Sequence, residues 1–379
     1  FGLVAFAQAF IQYFAVLTDF GFNYTATKDI SVNRENKQKV NSIFSTVMTI
    51  KIFFTVVSFA ILLFFVYYIA KFKEERLIYI FTFIMVVGNT LFPIWLFQGL
   101  ERMKYIAIIN IVSKVFFASL LFVFIRDATD YNYVALINSL GFLFTGIVAL
   151  IVVFGILKIK YIFPRKAEIK AQVKKGRHMF YSTVAISLYT TSNPFILGIF
   201  TSDTIVGYYS AAEKIIRTVH YMLSPISNSI YPYIGKLVSI SRKATINFIK
   251  KVTVWFGGLS FLISLFIFIF PNLIVSILLG NQYTESIILL KIMAFLPFII
   301  ALSNIFGIQT MLNFDYEKEF FYIVLIAGII NISLALLLVG SMQHIGISIS
   351  VLITEIFVTI ATYIFLHKKG IKIMELKNV

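Results

Sequence analysis

The chain has 379 residues, 59% of them hydrophobic and 13% charged, with a net charge of +16 and a mean hydropathy of +0.91. Soluble domains hold about 45–50% apolar and about 25% charged residues, so this composition excludes a water-soluble fold. Zero Cys removes disulfides, thiolate metal sites and cysteine nucleophiles together.

Apolar runs separated by polar punctuation predict eleven membrane helices, over residues 1–24, 43–70, 77–98, 107–125, 131–157, 179–200, 205–235, 252–271, 286–310, 320–340 and 345–366. Transmembrane strands are about 9–11 residues of alternating polarity, and these runs are longer and apolar on all sides. Phe1 opens directly into an apolar run with no basic flank, so the chain reads as lacking a first helix of twelve. Lys and Arg sort onto alternate loops, 24 on one set and four on the other, which predicts the basic set to be cytoplasmic. The charge is then topology signal and attraction to anionic lipid headgroups, not a nucleic-acid footprint.

The most basic loop, KIKYIFPRKAEIKAQVKKGRH (158–178), divides the chain into an N-terminal lobe (1–157) and a C-terminal lobe (179–366), with a cytoplasmic tail at 367–379. A solvated amphipathic helix on the headgroups is compatible with that linker role. An ungapped echo joins the lobes. GLVAFAQAFIQ from Gly2 aligns with GYYSAAEKIIR from Gly207, pairing Gln8 with Glu213 and Gln12 with Arg217. Both copies run in the same direction, so the repeat is parallel. A weaker echo pairs QGLERMKY from Gln98 with QTMLNFDYEKEF from Gln309. The expected fold class is an all-α polytopic membrane protein with two pseudo-symmetric helical lobes.

Five cations fall inside predicted spans: Lys51, Lys114, Lys214, Arg217 and Lys291. Each costs roughly 2.5–3.5 kcal/mol at a helix centre unless it meets a partner or water. Lys214 and Arg217 lie roughly 14–18 Å into their span, too deep to snorkel; the three lysines lie roughly 8–12 Å from a predicted end, where a long stem can return to the interface. Glu213 precedes Arg217 by one turn, so an internal ion pair is one reading. A water-filled cationic cavity lined by both lobes, with Gln8 and Gln12 on the other face, is the alternative. Asp19 reads as an interfacial cap or gate near its span's end. Glu355 suits either a protonatable coupling group or a structural partner for a buried cation. Pro93 and Pro194 inside spans predict kinks or hinges, and Asn193 is placed to satisfy a freed backbone group. Four scattered His and no Gly-rich phosphate loop leave no metal or cofactor expected.

The stretches GLVAFAQAFIQYFAVLTDFGFNYTATKDIS (2–31), PIWLFQGLERMKY (93–105) and TTSNPFILGIFTSDTIVGYYSAAEKIIR (190–217) closely resemble the bacterial O-antigen transporter (Wzx) family of polysaccharide repeat-unit flippases. These share a superfamily with MATE drug exporters. The resemblance implies two six-helix lobes and translocation, across the bacterial inner membrane, of an oligosaccharide on a polyprenyl diphosphate. It implies Lys214 and Arg217 as anion-binding groups, Lys51 and Lys114 as secondary contacts, and Gln8, Gln12 and Tyr209 facing sugar. It further implies rocking about Pro93 and Pro194, coupling to protons or sodium with Glu355 and Glu213 as candidates, and contacts with membrane lipids and polysaccharide polymerase machinery. A multidrug exporter on the same scaffold would need an acidic, aromatic cavity. A membrane enzyme of polysaccharide assembly would need an extramembrane loop rich in catalytic groups, whereas the longest outer loop, 272–285, carries only Glu285.

Overall fold

The computed structural model describes residues 1–127 and 130–373, so the last part of the expected tail, 374–379, lies outside the described residues. Among the described residues all regular elements are helices, and eight are long and apolar enough to cross a membrane. This is a multi-pass membrane protein. It forms two compact units, residues 3–187 and 188 onward.

The first unit opens with α1 (Gly2–Asp19) and α2 (Phe22–Val32), one span broken by Phe20 at φ 48° and Gly21 at φ 74°. Left-handed residues cannot continue a right-handed helix. The break is pinned: the Phe20 ring stacks 4.6 Å from Phe180 and 5.1 Å from Phe54. A Cβ on Gly21 would lie 2.8 Å from Met179, so both φ and space demand glycine. Next come α3 (Lys37–Tyr68), capped by the Asn36 side chain, and the short α4 (Ala70–Lys73). α5 (Arg76–Leu91) and α6 (Ile94–Gly99) form a second broken span, interrupted at Phe92 and Pro93. α7 (Met103–Phe124) and α8 (Tyr131–Ile151), the latter continued by a π turn over Val152–Ile156, complete the bundle. Small residues let α5 and α8 approach to backbone contact: a Cβ on Gly88 would enter the Phe142 backbone, and one on Gly146 would lie 2.6 Å from the Gly88 carbonyl.

The basic linker is stapled to α3. The Lys160 N–H donates to Asn41 Oδ1 at 3.0 Å, the Ile162 N–H to Ser45 Oγ at 2.8 Å, and Tyr161 Oη meets Thr49 Oγ1 at 2.8 Å. Asn41, Ser45 and Thr49 are spaced by four, one stripe of the helix. α9 (Lys166–Thr190) follows, its start closed by Glu168, which accepts from the Arg165 N–H at 2.7 Å and from Ser42 Oγ at 2.9 Å. The linker therefore runs without regular structure against α3 up to Arg165, and its helical part begins at Lys166. Polar stripe residues on α3 supply the hydrogen bonds that the linker's backbone needs.

The second unit contains α10 (Ser192–Phe200), α11 (Asp203–Ile240), α12 (Arg242–Ile269), α13 (Pro271–Leu278), α14 (Glu285–Met293) and α15 (Leu296–Asn304), then a π segment (Ile305–Met311) and α16 (Glu317–Lys368). At 1.5 Å per residue α16 would measure roughly 78 Å, far beyond an about 30 Å hydrocarbon core. It is two antiparallel arms: Gln343 is non-helical at φ 46°, and Asn331 on one arm donates to Thr354 Oγ1 on the other at 3.4 Å.

On the basic-loop side the helices outrun the apolar stretches. α2 continues to Val32, α3 starts at Lys37, α7 at Met103 and α9 at Lys166; α11 and α12 meet at Ser241, whose hydroxyl caps α12. Apolar length reports bilayer thickness, whereas Lys, Arg, Glu and Gln are good helix formers beyond it.

Candidate functional site

In the second unit the site is built along α11. The Tyr209 hydroxyl donates to Glu213 Oε1 at 3.4 Å, and Arg217 Nη2 donates to the same oxygen at 3.0 Å. Tyr209 is fully buried, so its ring offers no face to a sugar, and its hydroxyl instead orients Glu213. Exposure rises outward along the chain of groups, with the Glu213 side chain 18% and the Arg217 side chain 41% exposed. Lys214 is exposed beside them. Measured from Asp203, Lys214 and Arg217 stand about 16 and 21 Å along the helix.

The same face continues to His220 and Ser227, which line a cavity of about 220 Å³ together with Phe256, Pro297, Ala301 and Asn304. Behind it Ser227 Oγ donates to Asn304 Oδ1 at 2.6 Å, and Gln309 Nε2 donates to Ser227 Oγ and its carbonyl at 2.8 and 2.9 Å. Gln309 sits in the π segment, a widened turn that recurs at functional positions. Its Oε1 is buried without a hydrogen-bond partner among the described residues.

In the first unit Lys51 is 3% exposed, its ammonium 3.5 Å from Asp19 Oδ1. Lys51 is held within the protein by Asp19, so its stem does not carry the ammonium outward, and Asp19 acts as that partner rather than as a cap. Gln8 and Gln12 share one stripe of α1 with Asp19; Gln8 is exposed and Gln12 half-buried. Lys114 is exposed on the outer face of α7 among Ile111, Val112 and Val115. The structure therefore places Lys114 apart from the Lys51–Asp19 pair, on a different helix surface.

Glu355 is 9% exposed, mid-way along the second arm of α16. Pro93 stands at the α5–α6 break and Pro194 in the first turn of α10, just after the α9–α10 break. Asn193 is buried, and its Oδ1 has no hydrogen-bond partner among the described residues.

A second cavity, of about 490 Å³, lies wholly within the first unit, lined by Asn23, Tyr24, Thr27, Lys28 and Ser31 of α2 and by Gln98 of α6. Thr27 Oγ1 lies 3.3 Å from Gln98 Oε1 and 2.6 Å from the Asn23 carbonyl. Sequence reading overlooked this group, although Asn23, Thr27 and Ser31 repeat at every fourth residue of an apolar span. The weaker echo also pointed here. Gln98 contacts a hydroxyl of α2 as Gln309 contacts one of α11, and Glu101 (φ 56°) and Asp315 (φ 62°) close the following turns in the same left-handed conformation.

A family model described as "Polysaccharide biosynthesis protein" matches residues 1–238. The "Putative O-antigen transporter" of Escherichia coli (strain K12) is 34% identical over 368 residues, 97% of this chain and 88% of that protein. A protein of the same name from Shigella dysenteriae is 26% identical over 365 residues, 95% of this chain and 90% of that one. Among solved structures, an inward-facing multidrug resistance MATE family transporter of the MOP superfamily superposes with a TM-score of 0.75 at 10% identity, covering 99% of this chain and 92% of that one. An outward-facing MATE structure gives 0.58 at 13% identity, covering 99% and 89%. These structures share the fold. The family match over more than half of the residues, and a relative 34% identical across nearly the whole chain, place this protein in the polysaccharide biosynthesis protein family.

Proposed function

We propose that the protein is a flippase that moves an oligosaccharide repeat unit, carried on a polyprenyl diphosphate, from the cytoplasmic to the outer leaflet of the bacterial inner membrane. The observation that carries this reading is the exposed Lys214 beside the half-buried Arg217 on α11, in a chain whose relatives bear the name O-antigen transporter. A diphosphate cannot cross hydrocarbon unaided, and guanidinium and ammonium groups replace its water with charge-assisted hydrogen bonds. Glu213 holds Arg217 until substrate arrives and then competes with the phosphate, which makes it a candidate for coupling to protons or sodium beside Glu355. Gln8 and Gln12 offer amides to sugar hydroxyls, and Lys51 and Lys114 act as secondary contacts, Lys51 only once Asp19 lets it go.

Eleven spans, pseudo-symmetric lobes and alternating access through breaks at Pro93 and Pro194 complete the proposal. The recurrence of the Gln98 and Gln309 contacts in the two units supports the symmetry. The MATE likeness bears on scaffold alone, and five intramembrane cations against three acids disfavour organic-cation export. Surface polysaccharide is the readout. In a strain lacking the native gene, the double variant Lys214→Ala, Arg217→Ala is expected to abolish display at normal protein levels; unchanged display overturns the assignment.

A further inference from the structure

The 490 Å³ cavity of the first unit is unlike the rest of the bundle. Its volume falls within the about 300–1,000 Å³ typical of small-molecule sites, and beside Ile94 its lining carries six polar side chains: Asn23 and Gln98 are amides, Thr27 and Ser31 hydroxyls, Tyr24 a phenol and Lys28 an ammonium. It sits where α2 and α6 run out towards basic loops, the side that the charge rule assigns to the cytoplasm. Its walls are set by tertiary contact. Gly99 lets α6 lie against α2, since a Cβ there would come 2.6 Å from Ile30, and Thr27 bridges to the Trp95 carbonyl and the Gln98 oxygen, each at 3.3 Å.

We infer that this cavity is a saccharide subsite, which receives the glycan of the lipid-linked substrate on the loading side. The inference rests on the flippase reading and adds to it a location and a chemical class. Planar amides and hydroxyls each both donate and accept, which matches the paired donor and acceptor character of sugar hydroxyls. Thr27 gives its proton to the Asn23 carbonyl at 2.6 Å, so its oxygen accepts from a ligand, while the Gln98 amide offers both donors and an acceptor. Tyr24, 62% exposed, supplies an apolar ring face with a polar tip. A diphosphate site would gather several cations, whereas one lysine lines this cavity.

The absence of cysteine makes the test direct. The full chain carrying Ser31→Cys, in lipid nanodiscs, is labelled with a maleimide in the presence of lipid-linked oligosaccharide extracted from the source strain's own membranes, or of farnesyl diphosphate. The glycosylated extract at roughly ten times its Kd is expected to slow labelling about tenfold, and farnesyl diphosphate to leave it unchanged. Asn23→Ala with Gln98→Ala is expected to restore labelling. Tyr24→Ala, at an exposed position that folding does not depend on, is the second variant and is expected to do the same. Protection by both probes alike, by neither, or protection that survives both variants overturns the subsite. Thermal stabilisation of the unsubstituted chain by the extract separates the two failures. Stabilisation without protection at Ser31→Cys overturns the subsite alone; no stabilisation by the extract or by farnesyl diphosphate overturns the flippase reading and the subsite with it.

Discussion

The Lys51 ammonium lies 3.5 Å from the Asp19 carboxylate, immediately before the two left-handed residues that separate α1 from α2. The pair ties α3 to the end of α1 at the depth where the span is broken. An ion pair this deep compensates two desolvation costs, and removing one partner strands the other.

Lys51→Ala or Asp19→Ala should therefore each destabilise the protein by about 3–5 kcal/mol. The double variant Asp19→Asn, Lys51→Met should recover most of that loss. Thermal unfolding in detergent checks it. A double variant as unstable as the singles would show that the pair is not what holds α1 to α3.

Tyr209→Phe removes only the hydroxyl that donates to Glu213. A loss of about 1 kcal/mol in stability is expected, with surface polysaccharide retained, since the buried ring touches no substrate. Lost display at normal stability and protein level would restore Tyr209 to direct contact.

Gln309→Leu keeps the volume of a buried side chain but leaves Ser227 and Asn304 with fewer partners. A cost of about 1–3 kcal/mol is expected. Ser227→Ala with Gln309→Leu should cost less than the sum of the single changes, because the groups share one network. Additive costs in a double-mutant cycle would separate them.

The linker's docking should depend on pH through Glu168. The Arg165 N–H first, and then the Ser42 hydroxyl, hold its carboxyl below the usual range. Because the docked state has the lower pKa, the stabilisation is complete above the carboxyl's ordinary value and is lost as pH falls through the depressed one. Hydrogen exchange at the Lys160 and Ile162 amides should rise as the solution is acidified, after correction for intrinsic exchange. Glu168→Gln should remove that dependence.

Gly88→Ala should destabilise by about 1–3 kcal/mol, since its Cβ would meet the Phe142 backbone across the α5–α8 contact. Gly258→Ala, with open space around it inside α12, is the control and should be neutral or slightly stabilising. Equal melting temperatures for the two variants would mean that α5 and α8 are further apart.

Sequence by itself determined the membrane class, because long apolar runs have no other stable environment, and it determined the parallel echo that pairs Gln8 with Glu213 and Gln12 with Arg217. It also placed Lys214 and Arg217 one turn apart on a single helix, since position along one helix is a one-dimensional quantity that counting residues supplies. Which charges meet was decided by tertiary structure. Lys51 and Asp19 are 32 positions apart and acquire each other only when α1, broken at Phe20 and Gly21, lies against α3. Tyr209 was legible as a residue near the cations but not as a buried one, because burial depends on what covers a helix face. The groove of Asn23, Thr27, Ser31 and Gln98 was hidden for the same reason. A polar residue every fourth position marks a face, and only the packing of α6 against α2 turns that face into a cavity.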